Sequence, residues 1–177
     1  FVDEVCMDSS GFIWVGTSGS GLCRYDGYGF LPFSTNTPVG LKNNFIRYLA
    51  EDSWHRLWIA SEGGVDVLDF DTYTTTDLGG TALEPYLNTL CSFLTVDAVG
   101  CVWLKSGVTL LRVSFGKEGD IASVDAFEDE RLFPQTVVFK DVEGDGSVWI
   151  GLAGQIRKIV PSAEGLREVP VLEGFSY

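Results

Sequence analysis

His55 is the only imidazole in the 177-residue chain, and it lies in a polar turn between Trp54 and Arg56 with no acid spaced to serve as its general-base partner. Zinc centres built on two or three imidazoles are therefore excluded, as is any reaction needing two separate histidines. The four cysteines, Cys6, Cys23, Cys91 and Cys101, are too sparse for a disulfide scaffold and never form a Cys-x-x-Cys pair. No Gly-x-Ser-x-Gly nucleophile elbow occurs, and Gly19-Ser20-Gly21 leads into neither a Lys-Ser/Thr pair nor a helix, so it is not a phosphate loop. The stretch Asp141-Val-Glu143-Gly-Asp145-Gly146 begins like a calcium loop. Its twelfth position, however, is Leu152 in place of Glu, and the flanking helices are missing. No catalytic residue, metal or cofactor is expected. Trp54, an aromatic on a turn beside His and Arg, suits stacking on a sugar ring and equally suits contact with a neighbouring domain.

Lys and Arg number 12 against 25 Asp and Glu, a net charge of −13 that would repel nucleic-acid backbones and anionic membrane surfaces. Neither nucleic-acid binding nor membrane insertion is expected. The most apolar stretch, Leu87 to Leu104, is interrupted by Asn88, Asp97 and Gly100, well short of the ~20 apolar residues of a membrane helix. With 45% hydrophobic residues the chain carries enough material for a packed core. Its 21 glycines, where ~7% usage would supply about twelve, call for many tight turns.

Those turns recur. Trp14, Trp58, Trp103 and Trp149 are spaced by 44, 45 and 46 residues. Each has an acid six residues before it (Asp8, Asp52, Asp97, Glu143) and an aliphatic residue directly before it. Gly11, Gly100 and Gly146 hold the third position before the tryptophan, which His55 takes in the second repeat. A period of this size marks one supersecondary unit used repeatedly, none able to bury its apolar faces alone. The repeats are set at 1–44, 45–88, 89–135 and 136–177 of a single domain. Within the first, strands are predicted over Val2 to Met7, Phe12 to Thr17, Leu22 to Tyr25 and Phe30 to Ser34, and the others follow suit. The tryptophan strands are continuously apolar, as in Leu57-Trp58-Ile59, so both faces of each small sheet must be covered. Short antiparallel strands, four per unit and buried on both sides, describe an all-β β-propeller of four-stranded blades. The acids, placed at the turn into each tryptophan strand, are expected to accept turn amides.

These residues resemble the two-component regulator propeller repeats of the sensor part of bacterial hybrid histidine kinases. The first repeat carries the resemblance in Asp8, Gly11, Ile13-Trp14-Val15-Gly16-Thr17, Gly21-Leu22-Cys23-Arg24-Tyr25-Asp26 and Gly40-Leu41-Lys42-Asn43-Asn44. It decays along the chain, with Ala60-Ser61 and Lys105-Ser106 replacing Gly-Thr. Sialidase-type Asp boxes place the aromatic five residues after the acid, not six, and the signatures of WD repeats are missing. The resemblance implies a periplasmic ligand-sensing module of an inner-membrane-anchored sensor kinase. It further implies a glycan or oligosaccharide signal and, as partners, further blades and sensor domains of a parent chain. A propeller lyase or glycosidase is the alternative, since architecture does not dictate function.

Candidate ligand residues lie in the loops that join one blade to the next and the second strand of a blade to its third. They are Lys42, Asn43 and Asn44, then Glu62, then Tyr86 and Asn88, with Trp54 at a separate turn. The same polar groups would serve as caps of strand ends. Four units account for the whole length, whereas a seven-bladed ring needs about 315 residues, so an incomplete arc is expected. Its end blades should keep apolar outward faces and drive self-association. No disulfide is expected, because Cys6 and Cys23 sit on strands separated by a third.

Overall fold

Apolar runs punctuated by Gly and Asp turns fold as antiparallel meanders in the computed structural model, which describes residues 1–132, 137–139, 144–152 and 155–169. The first sheet is β1 (Val2–Met7), β2 (Ile13–Thr17), β3 (Leu22–Tyr25) and β4 (Phe30–Phe33), in that spatial order. β5 (Ile46–Glu51), β6 (Arg56–Ser61) and β7 (Gly64–Asp69) form the second. The third holds β8 (Cys91–Val96), β9 (Val102–Ser106), β10 (Thr109–Phe115) and β11 (Ile121–Glu128). The fourth holds β12 (Val137–Phe139), β13 (Val148–Leu152), β14 (Gln155–Ser162) and β15 (Gly165–Val169). The only helical pieces among the described residues are 3-10 turns at Glu84–Tyr86 and Glu130–Leu132, and no helix there could cross a membrane.

The chain divides into two compact units, Phe1–Leu94 and Thr95–Tyr177, the boundary falling inside β8. The first unit contains the first two blades. Because side chains alternate across a strand, β2 directs Trp14 to one side and Ile13 and Val15 to the other. On the Trp14 side, Leu22 and Phe33 join Ile46, Leu49, Leu57, Ile59 and Leu68 of the second blade in one buried cluster. Phe70 stacks on the Trp14 ring at 5.3 Å and Phe33 lies 5.4 Å from it. The tryptophan thus fills the space between adjacent blades. The repeat extends to the irregularities: a register shift at Val2/Glu4 is reproduced at Ile46/Tyr48. In the second unit Trp103, Leu104, Leu110, Leu111 and Val113 are buried, as are Val148, Ile150 and Ile159.

The second blade departs from the expected four strands. After β7 the Asp69 carboxylate accepts the amides of Asp71 (3.0 Å) and Thr72 (2.8 Å), a tight turn that leaves Tyr73 at φ 53°. The chain then touches β7 through Asp69 N to Thr74 O and Thr76 N to Val67 O, with a single bridge at Leu68 and Thr75. Gly79 and Gly80 carry it away. The polar run Thr74-Thr75-Thr76-Asp77 has no apolar alternation with which to pack as a full edge strand. All four cysteines are free thiols, Cys91 and Cys101 buried and Cys6 and Cys23 half-buried.

Candidate functional site

The repeat acids are ligands of their own blades. Asp8 Oδ1 accepts the amides of Ser10 and Phe12, and Oδ2 accepts the Trp14 indole N–H at 2.7 Å. Asp52 does the same for Trp54 N, Arg56 N and Trp58 Nε1, and adds Arg56 Nε at 2.8 Å. Asp97 takes Val99 N, Cys101 N, Trp103 Nε1 (2.9 Å) and Arg112 Nε (3.3 Å). The turn amides were anticipated. The indole was not, although the constant six-residue spacing was its signal. Glu143, the corresponding acid of the fourth repeat, lies outside the described residues, as does Asp141. There Asp145 accepts the Ser147 amide at 3.0 Å, the position filled by Phe12, Arg56 and Cys101 in the other repeats. Lys158 donates to the other oxygen of Asp145 at 2.7 Å and, with Ser147, holds its carboxyl down to about 2. Among the described residues no three His, Cys, Asp or Glu side chains converge as metal ligands.

At the opposite end of the blades the interblade loops meet the turns, as the strand order requires. The Asn44 carbonyl accepts Gly19 N (3.0 Å) and Gly21 N (2.9 Å), while its side chain holds Thr35 N and Thr35 Oγ1. Asn43 caps Phe45 N, and Glu62 is ion-paired with Arg47. Tyr86 sits half-buried in its 3-10 turn and Asn88 is exposed. Asn43, Asn44 and Glu62 hold the loops in shape, and the candidates do not converge on one point.

Convergence occurs beside them, where Lys42 meets Asp66, an acid that the sequence analysis did not single out. Lys42 donates its amide to Asp66 Oδ2 at 3.0 Å and its ammonium to the carbonyls of Val65 (2.7 Å) and Leu87 (3.1 Å). Gly64 makes that geometry possible, since a Cβ there would sit 1.9 Å from the Leu87 carbonyl oxygen, and its φ is +124°. A cleft of about 330 Å³ opens here, lined by Lys42, Asp66, Thr75, Thr76, Asp77 and Leu78 among others. Asp66 is only 7% exposed. Burial pushes its carboxyl above the ordinary carboxylate range, against the opposing pull of the Lys42 amide and charge. Among the described residues its Oδ1 accepts no hydrogen bond. An isolated acid within Val65-Asp66-Val67-Leu68 was the available signal.

His55 corrects a second expectation, because an acid does lie near it. Its Nδ1 is 3.3 Å from Glu51 Oε1 and 3.1 Å from Ser9 Oγ, and Ser9 Oγ itself donates to Glu51 at 2.6 Å. Serine and acid share one ring nitrogen, whereas a relay needs them on opposite nitrogens. The cluster ties the turns of the first two blades together. The His55 backbone, at φ 55°, occupies the left-handed position of Gly11 (88°) and Gly100 (86°). Trp54 is exposed on the same turn.

Residues 40–63 match the family described as Two component regulator propeller. The matched segment runs from the loop bearing Lys42, through β5 and the Asp52 turn, to the end of β6, and so links both ends of the second blade. No curated protein matches. The chain is similar to an extracellular domain assigned to a hybrid two component system of B. thetaiotaomicron, with TM-score 0.67 and 21% identity over 94% of this chain and 23% of that one. A second extracellular domain, assigned to a one component system of the same organism, gives TM-score 0.53 and 17% identity over 98% and 31%. Virginiamycin B lyase of Staphylococcus aureus gives TM-score 0.64 and 12% identity over 98% and 56%. The chain therefore spans between about a quarter and just over half the length of these structures, and at such identities the likeness establishes the propeller fold alone.

Proposed function

We propose that the chain is a ligand-sensing part of an extracytoplasmic sensor of the hybrid two-component histidine kinase type, periplasmic and without catalytic activity of its own. Its ligand is a glycan or oligosaccharide, bound in the Lys42–Asp66 cleft of the second blade. The family match and the two extracellular sensor-domain neighbours support the sensor class. The observation that carries the site is Asp66: a carboxylate 7% exposed, held by one amide on one oxygen, in a cleft whose walls add Thr75, Thr76 and Asp77. Sugar hydroxyls donate readily to a carboxylate and exchange hydrogen bonds with threonine hydroxyls, while Leu78 meets the apolar ring face.

Calorimetric titration with a panel of oligosaccharides, run beside product analysis, tests this. Saturable binding without turnover is expected, weakened about tenfold or more in Asp66→Asn, since a hydrogen bond to a charged group contributes ~1.5–3 kcal/mol. Product formation would favour a propeller lyase or glycosidase. Binding unchanged in Asp66→Asn would move the site elsewhere.

A further inference from the structure

Opposite the residue that follows each repeat tryptophan, the third strand carries Cys23 in the first blade, Asp66 in the second, Leu111 in the third and Arg157 in the fourth. In the first and third blades a fourth-strand residue lies beside it, Pro32 next to Cys23 and Ala126 next to Leu111. Asp66 has no such neighbour. Pairing with β7 ends at Thr76, whose amide reaches the Val67 carbonyl, and Asp77 turns the chain away by capping Gly79 N at 2.9 Å. At Val65 other groups stand in for the strand: the Leu87 carbonyl accepts Val65 N at 3.1 Å, and the Lys42 ammonium donates to the Val65 carbonyl. The cleft opens where the fourth strand leaves the sheet, and Asp66 lines it.

Three charged side chains line this cleft, Lys42, Asp66 and Asp77. The Lys42 ammonium has three N–H donors and engages two of them on the Val65 and Leu87 carbonyls, which leaves one. Asp66 holds the Lys42 amide on Oδ2 and Asp77 holds the Gly79 amide on Oδ1, so that among the described residues Asp66 Oδ1 and Asp77 Oδ2 accept nothing. Two carboxylates against one ammonium give the lining a net negative charge. A sugar hydroxyl suits both kinds of open position, donating to Asp66 Oδ1 and accepting the remaining Lys42 N–H. A sugar carboxylate or sulfate brings no donor for Asp66, and it sets a further anion against the two carboxylates in partly desolvated surroundings.

We infer that the cleft selects an uncharged glycan and rejects acidic ones, those bearing uronate or sulfate groups; this rests on the glycan reading of the site. Neighbouring hydroxyls of one sugar bridge Lys42 and Asp66. Because Lys42 belongs to the loop between the first two blades and Asp66 to β7, the sugar ties that loop to the second blade. Asp77 and the open oxygen of Asp66 discriminate by repulsion, which works against the wrong ligand without any added contact to the right one.

The test is calorimetric titration of the full chain with glucose, galactose and mannose oligosaccharides, each compared with its own form oxidised at the primary hydroxyls to carboxylates and with its sulfated form. A neutral oligosaccharide should bind about tenfold or more tightly than either acidic form. Added salt should narrow that gap by screening the repulsion, while leaving the neutral ligand unaffected. Asp66→Asn and Asp77→Asn should each narrow it by about threefold or more, since each removes one like charge. Asp77→Asn keeps the oxygen that caps Gly79, so it carries the test should Asp66→Asn disturb the fold. An acidic form that binds as tightly as its neutral parent, or more tightly, overturns the inference and leaves the glycan reading standing. A gap that salt and both substitutions leave unchanged overturns it in the same way. If no member of the three sets binds, the glycan reading itself falls, and the inference with it.

Discussion

Asp52 and Asp66 are both buried carboxylates of the second blade, at opposite ends of it and surrounded differently. Asp52 accepts two backbone amides, the Arg56 side chain and the Trp58 indole. Asp66 accepts one amide, from Lys42. A buried charge whose acceptor sites are filled by its own strand organises the fold, and removing it leaves several donors unpaired. One held at a single oxygen beside a cleft is desolvated without being saturated, so its remaining acceptor capacity is available to a ligand.

The largest effects should fall on the saturated class. Asp97→Ala would strand Trp103 Nε1, the Val99 and Cys101 amides and the Arg112 guanidinium, and should cost ~3–5 kcal/mol in chemical denaturation. Trp103→Ala, emptying a fully buried position, should cost a similar ~3–5 kcal/mol. A near-neutral result for either would remove the distinction from Asp66.

Asp66→Asn should behave oppositely, losing ligand while leaving the melting temperature unchanged or higher at neutral pH. Its carboxyl is raised in the folded state, so ionised Asp66 opposes folding above its folded pKa. That penalty lessens as pH falls through the folded value and vanishes below the unfolded one. The stability gap between wild type and Asp66→Asn should therefore close on acidification, which paired melts across the acid range would show.

The turn beside Asp52 offers a smaller test. His55→Gly should stabilise by up to ~1 kcal/mol, because glycine adopts φ 55° without the steric cost histidine meets, less a few tenths for the lost contacts with Ser9 and Glu51. Gly100→Ala should lower stability by about the same ~1 kcal/mol. The smallest effect concerns Asp145, whose carboxyl is held at about 2 by Lys158 and Ser147. A group so depressed stabilises above the ordinary carboxylate range and loses that contribution as pH falls toward 2. Lys158→Met should flatten this part of the acid-stability curve.

The frame of the molecule was legible because its cause is local. Val2 to Met7 and Leu22 to Tyr25 form strands where predicted, since apolar alternation between Gly and Asp turns admits little else. The fourth strand of the second blade was not legible in this way, being displaced by the Asp69 turn and the threonine run. Of the proposed ligand residues, Asn43, Asn44 and Glu62 lie in loops between strands, yet composition cannot tell a loop cap from a binding group.

By itself the sequence determined the period, the strand order within a blade and the turn-amide role of Asp8, Asp52 and Asp97, because each acid stands at the turn into its own tryptophan strand; the indole contact was seen only in the structure. Only the tertiary structure decided which buried carboxylate stands beside a cleft. The partners of Asp66 and Lys42 are separated by 24 residues, and those of Ser9 and His55 by 46. Contacts at such range follow from how one blade stacks on the next, which no local pattern of residues encodes.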